Sequence, residues 1–374
     1  MSNEYPRRNL MGVPTAELAD FLAGLGQPAY RARQIQHWIC RRLAASFADM
    51  SDLPKSLRIE LSARAYLADP RVVDRRRASD GTTKYALRLE DGAVVEAVAM
   101  PMEGHTTLCL SAQTGCAVAC RFCVTGALGA GRNLRAHEIF GQYRVLMREE
   151  GLVGQGVNVV FMGMGEPLLN FPNLVEALGL LWETVSPRRI TVSTAGVVPK
   201  IAALGALPKR PNLAVSLNAT TDEQRSYLMP GVARWCLGEL VAALRAYPLE
   251  RGRRITIEYV LIAGLNDSLA DARRLGRLLS GLKVKVNLIP LNPDPEFLPD
   301  LAPPTEATIN AFAALLAASN YNVTVRWSKG REVAAACGQL RGQLLAATQG
   351  PVGAPAGGRT TAAHCLPALS ASRR

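Results

Sequence analysis

Three features of the sequence predict an α/β fold: an incomplete (β/α)6-type barrel behind a small N-terminal helical domain. From residue 105 onward, short apolar runs alternate with amphipathic helical patterns, the signature of a parallel sheet wrapped by helices. Directly after the first run, Cys116-Ala117-Val118-Ala119-Cys120-Arg121-Phe122-Cys123 sets three thiols at C-x3-C-x2-C spacing in a glycine-rich loop. Before residue 70 the apolar period is helical, and between 70 and 101 it is that of strands.

Taken in order, Thr15 to Leu22 is an amphipathic helix with Thr15 as its expected N-cap. A second helix is expected from Ala32 to Ala45, with Ile35, Trp38, Ile39 and Leu43 on one face, and a third from Lys55 to Tyr66. Residues 1–70 form this helical module. His37, Trp38 and Cys40 within it read as ordinary packing. Residues 71–104 read as a β-hairpin extension of two strand pairs, with turns at Asp80-Gly81 and Asp91-Gly92. Glu96 stands among apolar neighbours there. By alternation it faces solvent by default, or faces inward with a raised pKa.

The barrel is expected over 105–347. Its strands are predicted at 106–112, 157–162, 190–195, 212–217, 255–261, 284–289 and 322–327. Its helices are predicted at 136–149, 172–185, 197–204, 236–246, 268–280 and 305–319. In such folds the site lies at the C-terminal ends of the strands. The tail, 348–374, is rich in Ala, Gly, Pro and Ser and is expected to be disordered, with His364 and Cys365 carrying no function.

Composition narrows the class. No run reaches the roughly 18 apolar residues of a membrane helix, and the polar N-terminus lacks a secretory apolar segment, so the chain reads as cytosolic. Eight cysteines in such a chain point to metal binding or catalysis rather than to disulfides. A net charge of +12 favours a polyanionic partner, although an arginine-rich solvated surface gives the same number.

Three thiolates are one short of a closed structural zinc site. On a cubane cluster they leave one iron open to a chelating ligand. With an aromatic before the third cysteine, and a β/α series behind, the loop resembles the signature of radical S-adenosylmethionine (SAM) enzymes. That resemblance implies a 4Fe-4S cluster on Cys116, Cys120 and Cys123, whose open iron takes the amino and carboxylate groups of SAM. Phe161-Met162-Gly163-Met164-Gly165-Glu166-Pro167 then resembles the motif that grips the SAM amino group, with Gly165 letting a ligand approach and Glu166 accepting from the ammonium. Ser193, Ser216, Leu217, Asn218 and Asn292 end further strands and are the other expected SAM contacts.

Cys109 lies on the strand feeding the loop, and Cys337 stands in Ala335-Ala336-Cys337-Gly338-Gln339-Leu340. With these two thiols, the chain from about residue 9 to 347 resembles the adenine methyltransferases of the RlmN/Cfr group. The resemblance implies 23S rRNA as substrate, tRNA as a second one, an RNA-binding role for the helical module and an electron donor such as flavodoxin. It implies two SAM per turnover. Cys337 takes a methyl from one; a radical from the other removes hydrogen from that methyl; the carbon radical adds to adenine; and Cys109 releases the product through a transient disulfide. Glu96 matches the proton acceptor, with Cys109 as the alternative base. C2 is the expected ring position and C8 the alternative.

Elementary chemistry agrees with such a route. Adenine C2 is not nucleophilic, and the target base must leave its stack to reach a barrel mouth. Two positions depart from the group's pattern. Asn218 stands where a His is usual, so SAM contact there would run through backbone atoms. Trp327-Ser328-Lys329-Gly330 replaces a more basic run, which would alter RNA contact near Cys337.

Overall fold

A computed structural model describes residues 7–340; the expected tail, with His364 and Cys365, lies outside the described residues. The helical module comprises β1 (Arg8–Asn9), α1 (Thr15–Ala23), α2 (Tyr30–Cys40), α3 (Lys55–Arg64) and β2 (Ala65–Tyr66), with β1 paired parallel to β2. Leu18, Leu22, Ile35, Ile39, Leu57 and Leu61 form its core.

Three local expectations change. Thr15 is not the N-cap of α1: Pro14 occupies that position, and the Thr15 hydroxyl instead donates to Gln36 on α2. Helix α2 stops at Cys40 rather than Ala45, because Leu43 turns left-handed (φ +54°) and Ala44 N–H bonds back to the Trp38 carbonyl at 3.0 Å. That closure ordinarily uses glycine, so nothing in the apolar pattern announces it. Helix α3 ends two residues early because Ala65 and Tyr66 pair with β1.

Next come β3 (Arg71–Arg77), β4 (Thr83–Arg88), β5 (Val94–Met102) and β6 (His105–Cys109), each antiparallel to the last. Turns fall at both Asp-Gly pairs, where Asp80 and Asp91 each accept from the N–H two residues on, at 2.9 and 3.0 Å. Instead of two separate strand pairs, the four strands form one meander.

From β6 the chain becomes a β/α series: α4 (Val124–Ala127), α5 (Ala136–Glu149), β7 (Val157–Phe161), α6 (Phe171–Leu181), β8 (Ile190–Thr194), α7 (Val198–Gly205) and β9 (Asn212–Ser216). It continues through α8 (Asp222–Leu228), α9 (Leu237–Ala246), β10 (Ile255–Leu261), α10 (Leu269–Leu278), β11 (Val284–Pro290), α11 (Glu306–Ala318) and β12 (Val323–Val325). Strands β6 to β12 are parallel neighbours in chain order, and the ten-stranded sheet runs from β12 to β3 without closing. This is the expected incomplete barrel.

Strand faces follow from partners. The Tyr259 ring packs 5.5 Å from Phe312 of α11, so odd positions of β10 face the helices. Glu258, one residue earlier, therefore faces the barrel interior.

The default reading of Glu96 as solvent-facing is overturned. It is 1% exposed, and its carboxylate lies 3.0 Å from the ammonium of Lys84, which is equally buried. Strand β5 is covered on both faces, so alternation along it could not tell in from out.

Candidate active site

The site is assembled at the C-terminal ends of the parallel strands. Leaving β6, the chain makes the thiol loop, in which Cys116 N–H bonds Gly129 O at 2.8 Å and Cys123 N–H bonds Cys120 O at 3.1 Å. From the far side, Gly231 seals the loop: its N–H donates to Val118 O at 2.9 Å, and a Cβ there would stand 2.4 Å from Ala117 O. Only a residue without a side chain lets these two backbones meet.

Burial pushes the Cys116 thiol up to about 12 and raises Cys120 and Cys123 as well. For Cys116 and Cys120 the neighbouring thiols and the Glu166 charge add to the rise. Uncompensated thiolates are costly here, so the loop is built for a cation that would stabilise them. Among the described residues no three Cys, His, Asp or Glu side chains surround a single ion. A cubane sets each thiolate on its own iron and does not call for such convergence. The donor set fits a 4Fe-4S cluster with one iron left free.

Glu166 follows β7 and is buried. Burial raises its carboxyl, offset in part by N–H bonds from Ala195 (2.7 Å) and Leu168 (3.0 Å). Gly165 has φ +92°, and a Cβ would sit 2.4 Å from that of Gln113. Close packing against Gln113, on the chain leading into the thiol loop, thus requires a bare residue here. Ser193 is buried near the end of β8, and Ser216, half-buried, ends β9. Leu217 is in the core, its N–H bonded to Glu258 O at 3.0 Å. Asn218 is left-handed (φ +55°), and its side-chain oxygen accepts from Val260 N–H at 2.8 Å. Its amide thus locks β9 to β10.

The segment after β12 crosses the mouth and carries Cys337. It is tied down by Lys84 Nζ to Ala334 O (3.2 Å), Asn292 Nδ2 to Cys337 O (3.1 Å) and Val124 N–H to Gly338 O (2.7 Å). Cys337 is open to solvent on one side and walled by protein on the others. That enclosure raises its thiol; the Glu258 charge adds to the rise, and Arg326 opposes it. Cys109 is buried at the end of β6. Burial pushes it up to about 12, and the Cys337 charge contributes. Both are free thiols. The cluster loop, Cys109 and Cys337 thus meet at one opening, and Ser111, between Cys109 and the loop thiols, donates to the carbonyl of buried Glu96 at 2.6 Å.

Three residues of the opening carried no assigned role in the sequence reading. Lys84 bridges Glu96 to the Cys337 segment. Arg225 is buried beside Cys120 and Glu166, and its Nε and Nη1 have no partner among the described residues. Burial raises the Glu258 carboxyl; its Oε1 accepts from Asn287 at 3.0 Å, while Oε2 is buried without a partner among the described residues. A charged residue inside an apolar strand was the one available signal for Glu258.

Comparison with known proteins agrees with this geometry. Residues 110–276 match the Radical SAM superfamily. A barrel of this kind with a three-thiol loop at its mouth defines a radical SAM enzyme, whose cofactors are a 4Fe-4S cluster and SAM. Residues 8–67 match the Ribosomal RNA large subunit methyltransferase N-terminal domain. The dual-specificity RNA methyltransferase RlmN of Anaeromyxobacter dehalogenans is 44% identical over 89% of this chain and 91% of its own. That of Geobacter sulfurreducens is 46% identical over 90% and 92%. The crystal structure of a radical SAM methyltransferase from Sphaerobacter thermophilus superposes with a TM-score of 0.85 at 45% identity, covering 90% of this chain and 99% of its own. The chain belongs to the RlmN family of radical SAM RNA methyltransferases.

Proposed function

We propose that the protein methylates C2 of adenine in 23S rRNA and in tRNA, through a methyl group carried on Cys337. The observation that supports this most is the meeting of Cys337, Cys109 and the cluster loop at one opening. When bound, the cluster and SAM supply a 5′-deoxyadenosyl radical. Cys116, Cys120 and Cys123 hold the cluster. Gly165, Glu166, Ser193, Ser216, Leu217, Asn218 and Asn292 line the SAM subsite, with Leu217 and Asn218 contributing backbone atoms, because the side chain of the one is in the core and that of the other is occupied.

Cys337 receives the methyl of one SAM as a thioether, loses one hydrogen atom from it, and bonds through that carbon to the ring. Glu96, oriented by Lys84, takes the ring proton. Cys109 then attacks the Cys337 sulfur: the S–S bond forms as the S–C bond breaks, the freed methylene takes up a proton to become the methyl group, and the one surplus electron would return to the cluster. An electron donor such as flavodoxin serves the cluster. Among the described residues no helix is long and apolar enough to cross a membrane, in keeping with a cytoplasmic enzyme working on RNA.

The test is mass spectrometry of digested rRNA and tRNA after reaction with the anaerobically reconstituted protein. The expected product is 2-methyladenosine in both. 8-Methyladenosine instead would move the assignment to the other ring carbon, and unmodified RNA would overturn it.

A further inference from the structure

Trp327 is the most exposed aromatic side chain among the described residues, at 53%, and it lies just past the C-terminal end of β12, on the sheet edge from which the thiol loop also leaves. It follows Arg326, whose N–H bonds Leu288 O at 2.8 Å where β12 ends. The Arg326 guanidinium is close enough for its charge to bear on Cys109, Glu258 and Cys337 together.

The backbone beyond Trp327 is held firmly. Lys329 Nζ bonds Pro101 O at 2.7 Å, Gly330 N–H bonds Asp80 at 3.0 Å, and Glu332 accepts from the Ser79 hydroxyl at 2.6 Å. The other two strongly exposed rings, Tyr30 and Tyr227, each have an arginine over one face, at 5.0 and 4.4 Å. Among the described residues no cation covers the Trp327 ring. A bare indole on a fixed backbone, next in the chain to an arginine whose charge reaches Cys337, is an arrangement that exposure alone does not explain.

We propose that Trp327 is a stacking platform for the nucleobase adjacent to the target adenine, with Arg326 holding the intervening phosphate. This rests on the reading of the site as one that methylates RNA, and deepens it. Drawing an adenine into the mouth unstacks its neighbour, whose exposed face needs a partner. Indole stacking supplies one without regard to base identity. Trp327 is accordingly a positioning residue.

The experiment uses the full-length reconstituted protein and an RNA stem-loop with one reactive loop adenine, made intact or with an abasic nucleotide on its 5′ or 3′ side. With wild-type protein, one of the two abasic RNAs is expected to show a KM and Kd about tenfold higher and kcat nearly unchanged. Trp327→Ala is expected to show the same loss on intact RNA and to become insensitive to the abasic substitution. Trp327→Phe keeps most of the affinity. Abasic substitution on either side without effect on wild-type protein, or Trp327→Ala retaining full sensitivity to it, overturns the platform. Wild-type protein that methylates none of the RNAs overturns the underlying functional reading instead, so the two failures are distinct.

Discussion

Lys84 and Glu96 sit 3.0 Å apart with both side chains almost wholly shielded from water. Removing one partner of such a pair strands the other charge in a poorly solvating environment, at about 3–5 kcal/mol. Glu96→Leu is therefore expected to lower the free energy of unfolding by that amount, with Lys84→Met/Glu96→Leu recovering most of it. A single variant as stable as wild type would show that the charge of Lys84 finds water. The same reasoning bears on the proton-acceptor role: activity of Glu96→Gln has to be compared at matched folded fraction. The thiols separate more cleanly. Cys337→Ala is expected to abolish both RNA methylation and the methyl mass increment on the protein. Cys109→Ala is expected to accumulate a covalent protein–RNA adduct visible on a denaturing gel. A fully active Cys109→Ala enzyme removes the resolving step.

At the scale of elements, the helical module is locked to the barrel through α5. Fully buried Arg144 bonds Asp69 at 2.8 Å, Ala44 O at 2.6 Å and also Ile39 O, and Arg148 reaches Asp69 at 2.7 Å and Leu43 O at 3.0 Å. These guanidinium groups satisfy the carbonyls left free where α2 ends early. Arg144→Met is expected to leave the Ile39 and Ala44 carbonyls without their side-chain donor, while Asp69 keeps Arg148, costing about 1–3 kcal/mol for each carbonyl. Faster limited proteolysis within residues 41–54 would report it; an unchanged cleavage rate would mean the module holds by apolar contact alone.

The segment carrying Cys337 has its own lock in Asp80. Burial pushes that carboxyl up, but bonds from Thr82 and Gly330 and the charge of Lys329 outweigh it and hold the carboxyl below its ordinary 3.8. A depressed acid stabilises the fold above the ordinary value, and that contribution is lost as pH falls from 3.8 through the folded value. Asp80→Asn should flatten the pH dependence of stability in that window, and an unaltered profile would place the acid sensitivity elsewhere. The periodicities made most barrel elements legible: β10 and α5 fall where their patterns put them. Helix α8 was not seen, because seven residues with two buried positions give too short a period to read.

Across the whole molecule, what could be read depended on whether chemistry was contiguous in the chain. The cluster thiols lie within eight residues, so their spacing announced them. Cys109 and Cys337 come from opposite ends of the barrel, and only likeness to known sequences paired them. Lys84 and Arg225 carried no signal of role, since strands and helices buried on both sides show no preferred face, and Glu258 carried only its charge within an apolar strand. The charge is a property of the same scale. At +12, with Lys84, Arg144 and Arg225 buried, the other lysines and arginines among the described residues are at least partly exposed and available to phosphates. Neutralising Z phosphates releases counterions, so log affinity should fall against log salt with slope about −0.7Z for single-stranded RNA. A stem-loop is expected to give a slope of about −3 or steeper, while SAM binding, inside the barrel, stays nearly flat. Stacking releases no counterions. Trp327→Ala should therefore shift the RNA line downward without changing its slope, whereas Arg326→Gln should shift it and make it shallower by about 0.7. A salt-independent RNA affinity would mean that the surface cations are solvation only and that the opening alone holds the substrate.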